Sequence, residues 1–247
     1  MSQMNIGIVG AGNIGALLAR KFAAAGHLAK LSNSRGPESL VDIVRGTNVQ
    51  AVSNEDAPKD VDVVILSLPF AKNPDVAELL ANAPSDPIVV DTSNYYPARD
   101  GNIAEVDAGK PETVWVSEQV GRPLVKAWNA VLSQTLAEAG VSSGAANRVA
   151  IPIAGDGAAA KKVVADLVDI SGFDAVDAGT LAKSWSFQPG TPAYCTDLTT
   201  DELRPALADA IKDRAPKNRD AIMQAIGDGK VEFTREGLAS NNRAMSA

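Results

Sequence analysis

What most restricts the fold of this chain is a glycine-rich turn set between a short apolar run and a helical pattern near its amino end. Asn5-Ile6-Gly7-Ile8-Val9 reads as a buried strand, and Gly10-Ala11-Gly12-Asn13-Ile14-Gly15 opens a helix that ends before Gly26. Each glycine has a physical task there. Gly10 permits the tight turn, Gly12 lets backbone N–H groups approach a pyrophosphate, and Gly15 lets helix and strand pack closely, while the helix N-terminus faces the negative charge. The spacing alone recurs in unrelated chains; between a strand and a helix it is the dinucleotide-binding fingerprint.

The next strand, roughly Leu28 to Ser32, ends in Asn33-Ser34-Arg35. NAD-selective folds place an Asp or Glu at this point, on the ribose 2′-hydroxyl. Here a neutral amide (Asn33), a hydroxyl (Ser34) and a guanidinium (Arg35) suit a 2′-phosphate instead. A hydrogen bond to a charged group contributes about 1.5 to 3 kcal/mol. At about 1.4 kcal/mol per decade that is roughly a ten- to hundredfold preference for NADP(H).

Downstream, short apolar runs of buried-strand type alternate with helix-compatible stretches. Val49 to Val52, Val61 to Leu66, Ile88 to Asp91 and Leu124 to Trp128 read as strands; near-continuous β-branched runs are what a sheet covered on both faces requires. Pro74 predicts the first turn of a helix to about Ala83, and Ser133 to Ala139 another. The fold class is therefore α/β: a Rossmann-type doubly wound parallel sheet over residues 1–140 that binds NADP, with a smaller C-terminal α/β portion, 141–247, for substrate or dimerisation. In that portion the expected elements are a strand Val149 to Ala154, a helix Ala158 to Ile170, a strand Phe173 to Val176, helices near Asp201 to Asp213 and Asn218 to Ile226, a short strand Val231 to Phe233, and a frayed last dozen residues.

In an open parallel sheet the ligand crevice lies at the carboxyl ends of the strands. Ser67-Leu68-Pro69-Phe70, Thr92-Ser93-Asn94-Tyr95-Tyr96 and Asn129-Ala130-Val131 stand there, mixing amide and apolar groups as a nicotinamide riboside needs. The most aromatic stretch, Trp185 to Tyr194, is framed by Pro189-Gly190-Thr191-Pro192 and is expected either to line a planar acceptor's pocket, with Trp128, or to pack the core or a homodimer interface.

Composition excludes other chemistries. Cys195 and His27 are the single residues of their types, which rules out a Ser-His-Asp or Cys-His hydrolase and any Cys- or His-rich metal site, so no metal is expected. His27 falls at the start of the second strand, away from the crevice. A net charge of -7 argues against nucleic acid or an anionic membrane as partner. No charged-then-apolar leader or apolar run near 18 residues is present, so a cytoplasmic protein is expected.

The chain resembles the NADP oxidoreductases related to the reductase that passes hydride between NADPH and coenzyme F-420, an 8-hydroxy-5-deazaflavin. The likeness rests on Gly7-Ile8-Val9-Gly10-Ala11-Gly12-Asn13-Ile14-Gly15, Ser32-Asn33-Ser34-Arg35-Gly36-Pro37, Ser67-Leu68-Pro69-Phe70, Val125-Lys126-Ala127-Trp128-Asn129, Ala154-Gly155-Asp156 and Asp177-Ala178-Gly179. It implies that Gly10, Gly12, Asn13 and Ile14 hold the pyrophosphate, that Ser34 and Arg35 hold the 2′-phosphate, and that Asn129 with its neighbour Ala127 faces the nicotinamide. It also implies a small planar redox acceptor, coenzyme F-420 or a flavin, as co-substrate. Hydride exchange between flat rings needs stacking at about 3 to 3.5 Å rather than a strong acid, which fits the lack of a placed histidine and leaves no catalytic residue assigned. Two other readings stay open: a reductase of small carbonyls or imines of the β-hydroxyacid dehydrogenase or imine reductase type, and a non-catalytic NADP-binding regulator.

Overall fold

The computed structural model describes residues 2–84 and 86–246. Eight strands form one sheet: β1 (Asn5–Val9), β2 (Leu28–Ser32), β3 (Gln50–Ala51), β4 (Val63–Leu66), β5 (Ile88–Asp91), β6 (Leu124–Lys126), β7 (Ala150–Gly155) and β8 (Asp174–Asp177). Their order is β3-β2-β1-β4-β5-β6-β7-β8, so the chain winds outward in opposite directions from β1 and β4. A crevice opens at such a reversal, and the glycine-rich turn follows β1 into it. All pairings are parallel except β6 with β7, where Lys126 faces Ala154. The strands that follow residue 140 thus extend the same sheet.

Around the sheet lie α1 (Asn13–Ala24), α2 (Val41–Val44), α3 (Ala77–Ala81), α4 (Pro97–Asp100), α5 (Ala104–Asp107), α6 (Glu112–Val120), α7 (Ser133–Glu138), α8 (Ala158–Ile170), α9 (Thr200–Ala208), α10 (Ala215–Gly227) and α11 (Arg235–Ser246). Every residue of β4 is buried, as an all-apolar strand between two helical layers requires. On one face, Leu18 and Phe22 of α1 and Val164 and Leu167 of α8 close over Ile6, Ile8 and Trp128. The Trp128 indole meets Phe22 edge-on at 6.0 Å and donates from Nε1 to Ser171 Oγ at 3.3 Å. On the other face Phe70 stacks on Trp115 at 5.0 Å and tilts against Tyr95 at 5.4 Å.

Four expectations are corrected. The strand at Val49 to Val52 shrinks to two edge residues that pair only with β2. The helix expected from Pro74 begins as a 3₁₀ segment, Phe70–Val76, and turns α only at Ala77–Ala81, because a proline inside it has no N–H to continue the ladder. Val231 to Phe233 is not a strand. The tail expected to fray forms, over its described residues, the helix α11 (Arg235–Ser246), with Leu238, Ala239 and Asn242 buried. Its polar sequence hides the reason: Asn242 Nδ2 donates to the Cys195 carbonyl at 3.0 Å and Arg243 Nη1 to that of Thr196 at 2.8 Å, tertiary bonds that local pattern cannot show.

Candidate functional site: a groove across the carboxyl ends of the strands

The turn after β1 is held by backbone bonds. Gly10 N–H donates to Ser32 and Ser67 N–H to Val9, at 3.0 and 2.8 Å, tying β1 to both neighbours where they part. Gly10 sits at φ 110°, and a Cβ there would fall 2.0 Å from the Ser67 carbonyl oxygen. A Cβ on Gly15 would be equally close to the Gly10 oxygen, so the strand and the helix start are in direct backbone contact. Gly12 differs. Its φ is an ordinary -72° and an added Cβ would meet nothing within 4 Å. No side chain caps α1 there, so its amino end lies open to the groove. A cradle that only a side chain or a ligand could fill, at an uncapped helix start, fits a pyrophosphate.

One side of this turn is a hollow of about 680 Å³ lined by Gly10, Gly12, Asn33, Ser34, Arg35 and Ser67 among others. Asn33 shapes it: its Oδ1 accepts the Arg35 N–H at 2.9 Å and the Ser39 hydroxyl at 3.1 Å, an Asx-turn that fixes the loop. Ser34 and Arg35 are exposed, and among the described residues Arg35 is in no ion pair. An unpaired guanidinium on a shaped loop can bind a phosphate dianion bidentately.

The other side is a cleft of about 1100 Å³ that shares Gly12, Ser67, Leu68 and Pro69 with the first and also takes in Asn13, Ile14, Asn94 and Asn129. Asn94 and Asn129 interlock at its floor. Asn94 Nδ2 donates to the Asn129 carbonyl at 2.9 Å, and Asn129 Nδ2 donates to Asn94 Oδ1 at 3.1 Å and to the Phe187 carbonyl at 3.0 Å. Those two oxygens fix the amide's orientation, since a flipped Asn129 would set oxygen against oxygen. Its Oδ1 is buried without a hydrogen-bond partner in a residue that lines the cleft. Ala127, by contrast, is wholly buried and lines neither hollow.

Beneath this floor lies a polar network that sequence reasoning passed over. Asp91 and Lys126, both with wholly buried side chains, pair at 2.8 Å. Asp91 also accepts from Ser93 N–H, Ser93 Oγ and Thr113 Oγ1 at 2.8, 2.6 and 2.7 Å, and Lys126 donates to the Ser93 carbonyl. Breaking such a pair costs about 3 to 5 kcal/mol, so the loop that carries Asn94 is firmly seated. The available signal was a lysine inside an apolar strand run. Nearby, Glu112 Oε2 accepts the Tyr95 N–H at 3.1 Å; burial pushes its carboxyl up to about 7.

The far wall of the cleft comes from the C-terminal third: Tyr194, Cys195, Arg219, Met223, Phe233 and Leu238. Sequence reasoning placed Tyr194 here but missed Arg219, Met223 and Phe233, which only the packing of α10 and α11 brings over the sheet. Tyr194 Oη lies 2.7 Å from Tyr96 Oη. Trp185 lies elsewhere, in a separate hollow of about 100 Å³ beside Tyr95 and Arg219. Trp128 reaches the cleft but is a core residue. His27 is buried at the opposite end of the sheet, its Nδ1 accepting the Met4 N–H. Among the described residues no group of three or more His, Cys, Asp or Glu could hold a metal, and no helix is long and apolar enough to cross a membrane.

Sheet order, glycine turn and groove define a Rossmann-type dinucleotide-binding protein. The chain belongs to the family described as NADP oxidoreductase, coenzyme F420-dependent, whose model matches residues 5–95. It is 34% identical over 103 residues to the Escherichia coli (strain K12) protein YjhV, covering 42% of this chain and 75% of that one. Among solved structures it is similar to the hypothetical protein SMa0349 of Sinorhizobium meliloti (35% identity, TM-score 0.61, 73% of this chain and 87% of the other). It shares its fold with a protein of Arthrobacter sp. FB24 named a "putative f420 dependent nadp-reductase" (20% identity, TM-score 0.60, and the same coverage).

Proposed function

We propose that the protein transfers hydride between NADP(H), lying along the groove from Arg35 over Gly12 to Asn129, and a planar redox acceptor of deazaflavin or flavin type in the wider cleft beyond. What carries this reading is the continuity of the two hollows at Gly12 and Ser67–Pro69, with an unpaired guanidinium at one end and an unpartnered amide oxygen at the other. A dinucleotide needs those features in that order: phosphate recognition, a close backbone approach, and a carboxamide acceptor. The cleft at the nicotinamide end is larger than that ring requires and is walled by Tyr96, Tyr194, Met223 and Phe233, which supports a flat second ring stacked against the first.

The test is to follow NADPH absorbance with the purified protein and, in turn, coenzyme F-420, flavins, quinones, ferric chelates and small carbonyls. Turnover is expected with a deazaflavin or flavin. Turnover confined to small carbonyls or imines would move the protein to the dehydrogenase-type reading. NADPH binding with no turnover across the panel would favour a regulator.

A further inference from the structure

The rings of Tyr96 and Tyr194 wall the cleft, but stacking and the binding of NADP(H) leave their paired hydroxyls without a role. Tyr96 follows the floor residue Asn94 in the loop after β5, whereas Tyr194 arrives from the segment before α9, and their hydroxyl oxygens lie 2.7 Å apart with both side chains on the cleft wall. Each phenol has one proton and their contact uses one, so the other proton is left for a third partner. Tyr194 also hydrogen-bonds the buried Cys195 thiol; with the thiol donating to Tyr194 and Tyr194 to Tyr96, the free proton is that of Tyr96. Tyr96 has instead the Arg99 guanidinium 5.4 Å from its ring centre, and Arg99 is itself held by Asp100 at 2.8 Å and by the Asn94 carbonyl at 2.6 Å. A cation beside a phenol sharpens it as a donor, and a neighbouring hydroxyl fixes where it points. Burial pushes all three of Tyr96, Tyr194 and Cys195 upward, so they stay neutral and keep their protons.

We propose that Tyr96 is a catalytic hydrogen-bond donor whose hydroxyl, oriented by Tyr194, bonds a conjugated carbonyl oxygen of the acceptor as hydride reaches its ring. The inference rests on the hydride-transfer reading. The hydride and its electron pair leave the nicotinamide, which is oxidised, and form a new bond on the acceptor, which is reduced. Negative charge delocalises onto the acceptor's carbonyl oxygen, where the Tyr96 hydroxyl stabilises it without giving up its proton; the proton that completes the reduced acceptor comes from water. A fixed donor aimed at developing charge is worth more in the transition state than in the ground state. Tyr194 is then a positioning residue.

The experiment compares Tyr96→Phe, Tyr194→Phe and the double variant with the parent, using NADPH and the acceptor that the parent turns over. Tyr96→Phe is expected to lower kcat and kcat/KM together by roughly 10- to 100-fold, below the 10²- to 10³-fold seen for a deleted oxyanion donor because one of several charge-bearing atoms is affected. The NADPH dissociation constant stays within twofold. Tyr194→Phe should lower kcat severalfold, and the double variant should be no slower than Tyr96→Phe, a coupling that a merely structural role would not produce. Unchanged kcat in Tyr96→Phe, additive losses, or a rise in KM alone would overturn the proposal. Should no acceptor turn over, the hydride reading fails by itself, and the donor is read from lumiflavin titrated into the NADP⁺-loaded protein. Binding at least fivefold weaker in Tyr96→Phe supports the donor; equal binding, or no binding by the parent, refutes it.

Discussion

The two ends of the groove are built on opposite plans. At the proposed nucleotide end the surface comes from neighbours in the chain, residues 10–15 and 33–35, and it is mostly backbone: two glycines whose Cβ atoms would strike carbonyl oxygens, and one whose Cβ would project into open space. At the proposed acceptor end Asn94, Tyr96, Asn129, Tyr194 and Arg219 converge from four separate stretches, and side chains make the surface. The first end sits on strand-end hydrogen bonds that any sequence of this pattern forms. The second stands on a buried Asp91–Lys126 network and is walled by α10, α11 and the segment between them, where Met223 and Phe233 remain 45% and 73% exposed. Backbone recognition suits a ligand shared by many proteins, and a side-chain wall suits one that differs among them.

The sharpest way to break this contrast is to fill the cradle. Gly12→Val should abolish NADPH and NADH binding alike, more than 100-fold in calorimetric titration, while the melting temperature holds, because the new side chain meets only the space of the pyrophosphate. Gly10→Ala should fail the other way, losing roughly 2 kcal/mol or more of stability through a left-handed φ and a backbone overlap. Retained nucleotide binding in folded Gly12→Val would place the ligand elsewhere. Next in size is Arg35→Ala, expected to weaken NADPH by roughly ten- to a hundredfold and NADH by less than twofold; equal affinity of the parent for both nucleotides would remove the guanidinium's role.

The remaining two concern the acceptor end. Glu112, raised from 4.5 to about 7, is protonated in the folded chain where the unfolded chain is already ionised. Its contribution is therefore full below pH 4.5, falls as pH rises toward 7 and is lost above it, by on the order of 3 kcal/mol. Urea unfolding of the parent against Glu112→Gln, from pH 5 to 8, should give a stability difference that shrinks with rising pH; a constant difference would mean that the carboxyl is ionised throughout. Smallest of all should be Trp185→Ala. The sequence suggested a pocket aromatic, but Trp185 faces its own small hollow, so the acceptor KM should stay within twofold. A large rise in KM alone would restore Trp185 to the acceptor site.

The amino half was legible because its signals are local. Gly10, Gly12 and Gly15 act within one turn, Asn33 folds its own loop, and β-branched runs such as Val63–Leu66 mark strands whatever surrounds them. Asn94 and Asn129 could be placed at strand ends, but their mutual locking and the orphaned Asn129 oxygen depend on two loops meeting, as does the burial that removes Ala127 from the site. Nothing within α10 or the link to α11 marks Arg219, Met223 or Phe233 as cleft residues, and the polar face of α11 resembles a frayed tail until it is set against the carbonyls of Cys195 and Thr196. The sequence by itself determined the doubly wound sheet, the glycine turn and the Asn33–Arg35 loop, since short-range sterics and backbone hydrogen bonding decide all three. The tertiary structure alone decided which side chains wall the wide cleft, because the packing of distant helices sets those positions and leaves no periodic mark in the chain.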